Sequence, residues 1–468
     1  MTDHDRSLRR TALLVSTMAS FLTPFMASAL NVAMPVVAKE FSLSAVALGW
    51  VPTAYMLAAA MFLVPFGRLA DIVGRKRVFA SGVAVFGLGS LLSALAPTGH
   101  FFIASRAVQG VGGAMVFGTG MAILTSVFPA RERGRAIGIN TAAVYVGLSS
   151  GPVVGGFLTH SFGWRSVLWV TIPLALAVFL VTSLRLQGEW AEARGEGFDW
   201  RGSLAYGLGL VCLMSGFSRL PSLLGLSLTA AGLAALSGFV LIEIRAPSPV
   251  FDLRLFRNNR IFAFSNLAAL INYSATSAVS FLVSLYLQYI KGLPPQKAGL
   301  VLIAQPVVMA VCSPFAGRLS DKVEPRVLAS LGMGFTSLGL ALFIFLGPDT
   351  PFLFIYGGLL LLGLGFGLFS SPNMNAIMGS VERRHYGLAS ASVGTMRLSG
   401  GMLSAGVTMM IFALFMGRVP IEPSVYPLFL KGLRAAFTLF ALICAGGIFA
   451  SLARGNRGPA GDAGGGPA

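Results

Sequence analysis

Gly67-Arg68-Leu69-Ala70-Asp71 closes one long apolar run early in the chain, and Gly317-Arg318-Leu319-Ser320-Asp321 closes another far downstream. The first copy continues Ile72-Val73-Gly74-Arg75-Lys76-Arg77. Glycine supplies turn backbone, an aspartate can pair with a base or sit at the positive end of a helix, and the basic side chains stay in water. Each copy follows the second apolar run of a set of six. The chain therefore reads as two six-helix sets built on one plan. Parallel repeats of this kind place a binding site between the halves, near the middle of the membrane.

A run of about 20 apolar residues spans a bilayer. Fourteen such runs are expected, at about 12–37, 46–66, 78–97, 101–128, 136–159, 166–184, 202–218, 222–242, 261–290, 297–316, 327–347, 352–380, 387–416 and 433–453. The divisions follow: a six-helix bundle over 1–185, a linker with two inserted helices over 186–260, a second six-helix bundle over 261–453, and a disordered Gly/Pro/Ala-rich tail over 454–468. The segment 185–201, with Gly188, Gly195, Gly197 and four acids, reads as a solvated linker.

Composition narrows the class. The 468 residues are 55% hydrophobic and 11% charged, which excludes a soluble domain. Long unbroken runs exclude an alternating β-barrel. The net charge of +17 does not point to nucleic acid, because the bases sit in short loops. With the N-terminus inside, 24 of the 34 Lys/Arg fall on the cytoplasmic side and 8 on the other. This three-to-one bias supports a multi-pass cell-membrane protein with both termini cytoplasmic. Cys212, Cys312 and Cys444 lie in apolar runs and fit neither a disulfide framework nor a metal site.

Gly147-Leu148-Ser149-Ser150-Gly151-Pro152-Val153-Val154-Gly155-Gly156 is the second informative stretch. Gly147, Gly151 and Gly155 line one helix face that a neighbour can approach closely. Pro152 removes a backbone donor and bends the helix there. The face serves either close packing or a sliding contact.

The 67–77 loop resembles the signature loop of the major facilitator superfamily. Gly67, Leu69, Asp71, Gly74, Arg75 and Lys76 match its pattern, and Ile72 departs from it. The second copy keeps Gly317, Leu319 and Asp321, with Glu324-Pro325 in place of Gly-Arg. Arg106-Ala107-Val108-Gln109-Gly110 is similar to the family's fourth-helix motif, and Gly147 to Gly156 to its antiporter motif in the fifth helix. Trp164-Arg165 with Ile172-Pro173 resembles the start of the sixth helix, and Arg397-Leu398-Ser399-Gly400-Gly401 the penultimate helix of the fourteen-span drug:proton antiporter branch. The resemblance implies an all-α integral membrane fold of two six-helix bundles plus two inserted helices. It also implies a monomeric secondary exporter of hydrophobic or amphipathic compounds, coupled to protons and surrounded by lipid. Gly67, Asp71, Gly74, Arg75, Lys76 and Asp321 would latch the cytoplasmic side. Gly147, Gly151, Pro152, Gly155 and Gly156 would seal or slide.

One departure matters. The branch commonly carries an acid just before the pattern Asn31-Val32-Ala33-Met34-Pro35, and here that position is Met26. All seventeen acids fall in loops, tails or near span ends, so no intramembrane carboxylate is available as the usual proton carrier. A uniporter, or a carrier of anionic amphiphiles or lipids coupled in another way, is the alternative.

Arg397 lies about ten residues into its helix, roughly 15 Å deep. It faces the cavity or serves as a structural hydrogen-bond hub. Arg106 is near enough to a helix end to reach outward. The cavity set is Asn31, Tyr55, Arg106, Gln109, Asn272, Gln305, Asn373, Asn375 and Arg397. Asn140, Tyr145, Asn266 and Tyr273 are further buried polar candidates, and Phe366, Phe369 and Met374 could supply apolar wall. An enzyme is not expected: there is no His-Glu-x-x-His, Gly-x-Ser-x-Gly or phosphate-loop pattern. No metal or cofactor is expected either.

Arg9-Arg10 before an apolar run, with Ala27-Ser28-Ala29 inside it, resembles a signal peptide. The apolar character runs on to Val37, so the segment is expected to stay as the first helix. Sequencing of the mature protein should find residues upstream of Leu30; a mature terminus at Leu30 would overturn this.

Overall fold

The computed structural model describes residues 3–245, 253–320, 322–382 and 386–455. Asp321, expected in the latch, lies outside them. All regular structure among the described residues is helical. The first set comprises α1 (Asp3–Glu40), α2 (Ala45–Val73), α3 (Arg75–Ala94), α4 (Gly99–Val127), α5 (Ala130–Phe162) and α6 (Arg165–Arg185). Then come α7 (Trp200–Phe217), α8 (Leu223–Arg245) and the short α9 (Leu253–Asn258). In the second set α10 (Arg260–Thr276) and α11 (Val279–Leu285) form one span that ends in a π-helical turn, Tyr286–Ile290. The next span joins α12 (Pro295–Leu302) and α13 (Ala304–Leu319). The set closes with α14 (Pro325–Phe343), α15 (Phe352–Gly379), α16 (Tyr386–Phe415) and α17 (Tyr426–Ala453).

Thirteen of these spans are long and apolar enough to cross a membrane. The other expected span, α7, has 18 residues and carries Arg201 in its first turn. Large apolar side chains such as Leu353, Leu184 and Phe449 are exposed on the outside of the bundle, the arrangement that lipid rather than water tolerates.

Local chemistry sets the helix ends. Ser44, Thr98, Asp199 and Asn259 accept backbone N–H bonds at the starts of α2, α4, α7 and α10. Gly74, at φ +126°, turns the chain from α2 into α3, a conformation that favours glycine.

The two sets repeat each other. α1 packs on α5 and α6, α2 on α4, and α3 on α4 and α6; α10 packs on α16 and α17, α13 on α15, and α14 on α15 and α17. The glycine contacts follow the same plan. A Cβ on Gly110 would press on Tyr55 O, and one on Gly363 on Gln305 O. Gly112 crosses at Gly82 and Phe86, and Gly365 crosses at Gly332 and Thr336. Lipid gives helices no hydrophobic drive to associate, so such close backbone crossings hold each half together.

The halves meet along two seams. At one, α5 lies against α12 and α13. At the other, α2 lies against α16, and the inserted α7 covers the pair. Met61 packs on Gly207 of α7, and Met214 of α7 packs on Gly406 of α16. Leu57, Leu210, Leu213, Met214 and Met402 share one apolar cluster there. α8 packs antiparallel on α7 through Gly209, Gly216 and Gly232.

Gly112→Ala should destabilise the fold by about 1–3 kcal/mol through overpacking, because its Cβ would stand 2.7 Å from Gly82 O and 2.8 Å from Phe86 Cα. Gly138 has open space at that position, and Gly138→Ala should be neutral or stabilising. Unfolding temperatures in detergent check the pair.

Candidate functional site

A cavity of about 40 Å³ lies between the halves, with Asn31 and Met34 of α1, Tyr55 and Met56 of α2, Arg106 of α4, Phe281 of α11 and Gly401 of α16 in its walls. It has room for a few water molecules. Three of the expected cavity residues, Asn31, Tyr55 and Arg106, line it directly. Arg106 is 2% exposed; its guanidinium donates to Gln109 Oε1 and lies 4.7 Å from the centre of the Tyr55 ring. Gln109 in turn donates to Ser90 Oγ at 2.7 Å. Arg397 is half-buried and lies over the Phe117 ring of the first half at 4.7 Å. Tyr145 and Ser313 bridge the halves through their hydroxyls at 3.0 Å.

The remaining expected cavity residues sit elsewhere. Asn373 donates to Ser265 O and accepts from Arg454, and Asn375 donates to Ser320 Oγ at 2.6 Å. Both belong to a polar cluster at the end of the second half that holds the basic loops. Asn272 is fully buried in α10, and no described residue bonds its side-chain atoms. Gln305 is half-buried with Oε1 unpartnered.

Opposite the basic loops the halves are stitched together. Ala45 N donates to Val419 O at 2.9 Å, Ser284 Oγ to Asn31 O at 2.9 Å, and Gln288 Nε2 to Val32 O at 2.8 Å. Gln288 sits in the π-helical turn. The antiporter-like stretch divides its work by face. Gly147, Gly151 and Gly155 lie against Phe21, Ser28 and Ala29 of α1, inside their own half. Gly156 faces Pro295 and Gln296, and the Pro152 carbonyl lies against Gly299, both on α12 of the other half. The smooth face is therefore internal packing, and the adjoining edge makes the contact between halves. Beside this seal, Glu40 accepts from Arg165 at 2.6 Å and from Trp164 Nε1 at 2.7 Å, tying α1 to α6.

At the basic end, Arg75 is the centre of the 67–77 loop. It binds Asp71 at 2.8 Å, Glu192 at 2.9 Å and Ser126 Oγ at 2.5 Å. Arg68 pairs with Glu196 at 2.6 Å, and Glu189 accepts from Lys76 N at 2.8 Å. Trp190 O accepts from Arg75 N, and Asp71 O from Ala193 N, each at 2.9 Å. The segment expected to be a solvated linker is thus docked on the loop. Gly74 is explained twice, by its φ and by Glu189, whose Cγ would stand 2.7 Å from an added Cβ. Gly67 has open space around that position.

Arg454, counted with the tail, is 2% exposed. It donates to Ser451 O, Ser451 Oγ, Ser265 Oγ and Asn373 Oδ1 and so joins α10, α15 and α17. Its only signal in the sequence is its place at the end of the last apolar run.

Comparison with known proteins accords with this geometry. The family model described as Major Facilitator Superfamily matches residues 17–405 and 265–464. The riboflavin transporter RibZ of Clostridioides difficile is 33% identical over 82% of this chain and 84% of its own. The multidrug resistance protein Stp of Mycobacterium tuberculosis is 31% identical over 88% and 77%, and the cephamycin export protein CmcT of Amycolatopsis lactamdurans 34% over 86% and 85%. Among solved structures, a bacterial homologue of the lysosomal transporter Spinster, inward-facing and unoccupied, aligns with TM-score 0.70 at 17% identity, covering 97% of this chain and 98% of that one. With its repeated six-helix halves and a family match that runs from one half through the other, the chain belongs to the Major Facilitator Superfamily of transporters.

Proposed function

We propose that this protein exports hydrophobic or amphipathic organic compounds by alternating access between its two halves, from the plasma membrane and with both termini cytoplasmic. The observation that carries the reading is the central cavity on the seam, lined by Asn31, Tyr55 and Arg106 among apolar side chains, with a group of hydrogen bonds joining the halves on the side away from the basic loops. That seal faces away from the basic loops, which supports an inward-facing state. Relatives named for multidrug resistance, cephamycin export and riboflavin transport support an organic solute. In this cycle Gly156, Pro152 and Gly299 part on the outer side, and the docked 67–77 loop steadies the cytoplasmic end of the first half.

Proton antiport is what the family resemblance implies for coupling. A specific observation favours the second reading, coupling without a proton carrier. Met26, at the position where an acid is common, is buried and accepts from Thr171 Oγ1 at 3.4 Å. Glu243 is the acid with a buried side chain among the described residues, and it lies two residues from the end of α8.

Gly156→Leu should crowd the outer contact, and Asp71→Asn should remove one partner of Arg75. Each is expected to lower transport severalfold while membrane insertion and yield stay at wild-type level. Wild-type flux in both variants would sink these roles.

Expression in a bacterial strain stripped of its own exporters should raise resistance to some members of a panel of amphipathic antibiotics. Repeating the panel with the membrane pH gradient collapsed separates the coupling readings: resistance that survives the collapse excludes proton antiport. No change for any compound would count against export.

A further inference from the structure

Arginine stays charged in proteins, and a charge in the middle of a membrane is costly unless solvated or paired. Three arginines at helix ends are held by several acceptors each. Arg454 has acceptors on Ser451, Ser265 and Asn373. Arg165 has Glu40 and the carbonyls of Ala94 and Ala96. Arg75 has Asp71, Glu192 and Ser126.

The two arginines of the central layer are treated differently. Arg106 bonds Gln109 and leaves Nε without an acceptor although it is buried. Arg397 stands about 17 Å from the start of α16 by helical rise. It is partly accessible, and Phe117 covers it without any described residue accepting a hydrogen bond from it. The Tyr55 ring lies against Arg106, 4.7 Å from its guanidinium. The described Asp and Glu residues lie at helix ends and in loops, so none of them balances this layer.

We propose that the cavity, which has room for a few waters in this state, widens in the transport cycle to take amphiphiles bearing an oxyanion (carboxylate, sulfonate or phosphate). Arg106 with Tyr55 receives the anion in the cavity wall, and Arg397, one turn before the lining residue Gly401, receives it beside Phe117. Phe117 and Phe281 face the apolar body of the same molecule. The inference rests on the export reading and names its substrate class. It also supplies a driving force. The two arginines stay with the protein in both directions of the cycle, so one net negative charge leaves per monoanion exported. A membrane negative inside drives that movement, and each 59 mV, approximately, supports a tenfold concentration ratio for a single charge. No proton has to be carried.

The test uses the full chain in liposomes loaded with either 8-anilinonaphthalene-1-sulfonate, a monoanionic amphiphile, or ethidium, a cationic one. A potassium gradient with valinomycin sets an inside-negative potential. Sulfonate efflux should rise severalfold with that potential and ignore a pH gradient imposed alone. Arg397→Gln should lower sulfonate flux and binding at least tenfold, with unfolding temperature unchanged, and Arg397→Lys should retain most of both. Sulfonate flux that follows the pH gradient and not the potential overturns the proposal. So does ethidium transport without sulfonate transport, a wild-type measurement that stands even if the glutamine variant fails to fold. Movement of neither dye in the wild type rejects the export reading, and the inference falls with it.

Discussion

Backbone-to-backbone contact between helices is the constraint on which the rest of this structure depends. Apolar side chains gain nothing from leaving lipid for the protein interior, so association must come from dispersion at short range and from hydrogen bonds. The chain meets this by removing side chains where helices cross. Gly147, Gly151 and Gly155 bring α5 onto α1, and Gly400 with Ser404 brings α16 onto α10, where Ser404 Oγ accepts from Ala278 N. These crossings tie the helices of each half closely together. In the proposed cycle each half would keep this internal order while the seams between the halves change.

Charge is arranged by the same economy. Most arginines sit in basic loops or are saturated at helix ends. The two central ones break this pattern at non-equivalent places in the repeat. The register set by Gly110 and Gly363 puts Leu359 opposite Arg106, and that set by Gly147 and Gly400 puts Val144 opposite Arg397. The repeat built the scaffold, and departures from the repeat distinguish the central site.

Much of the architecture was legible in the sequence, because the determining signals are local. Apolar run length, loop charge and the echo of Gly67–Asp71 in Gly317–Asp321 need no knowledge of distant contacts. Arg397 could be placed at depth by counting residues along its helix. The failures share a cause. Asn373 and Asn375 sit in an apolar run, but nothing local says that α10 and Arg454 will meet the first and Ser320 the second. Arg454 looks like a topogenic charge until α10 and α15 close around it. Glu189, Glu192 and Glu196 look like solvated acids until the 67–77 loop stands opposite them. The divided use of Gly147–Gly156 was equally hidden, since period four identifies a smooth face but not the neighbour it receives.

The two seams between the halves are made of different material. At the α5–α12 seam, Pro152, Gly156, Pro295 and Gly299 bring main chain against main chain. At the α2–α16 seam, clad by α7, methionines meet glycines: Met56 on Gly401, Met61 on Gly207, Met214 on Gly406 and Met409 on Gly49. Main-chain contact is stiff and either fits or separates. Methionine is unbranched, flexible and polarisable, and it refits as its neighbour shifts. The molecule therefore has a compliant edge and a brittle edge. In the proposed cycle, rocking of the halves would shear one like a lubricated bearing and break the other open like a latch, giving a carrier with near-symmetric halves a built-in front and back.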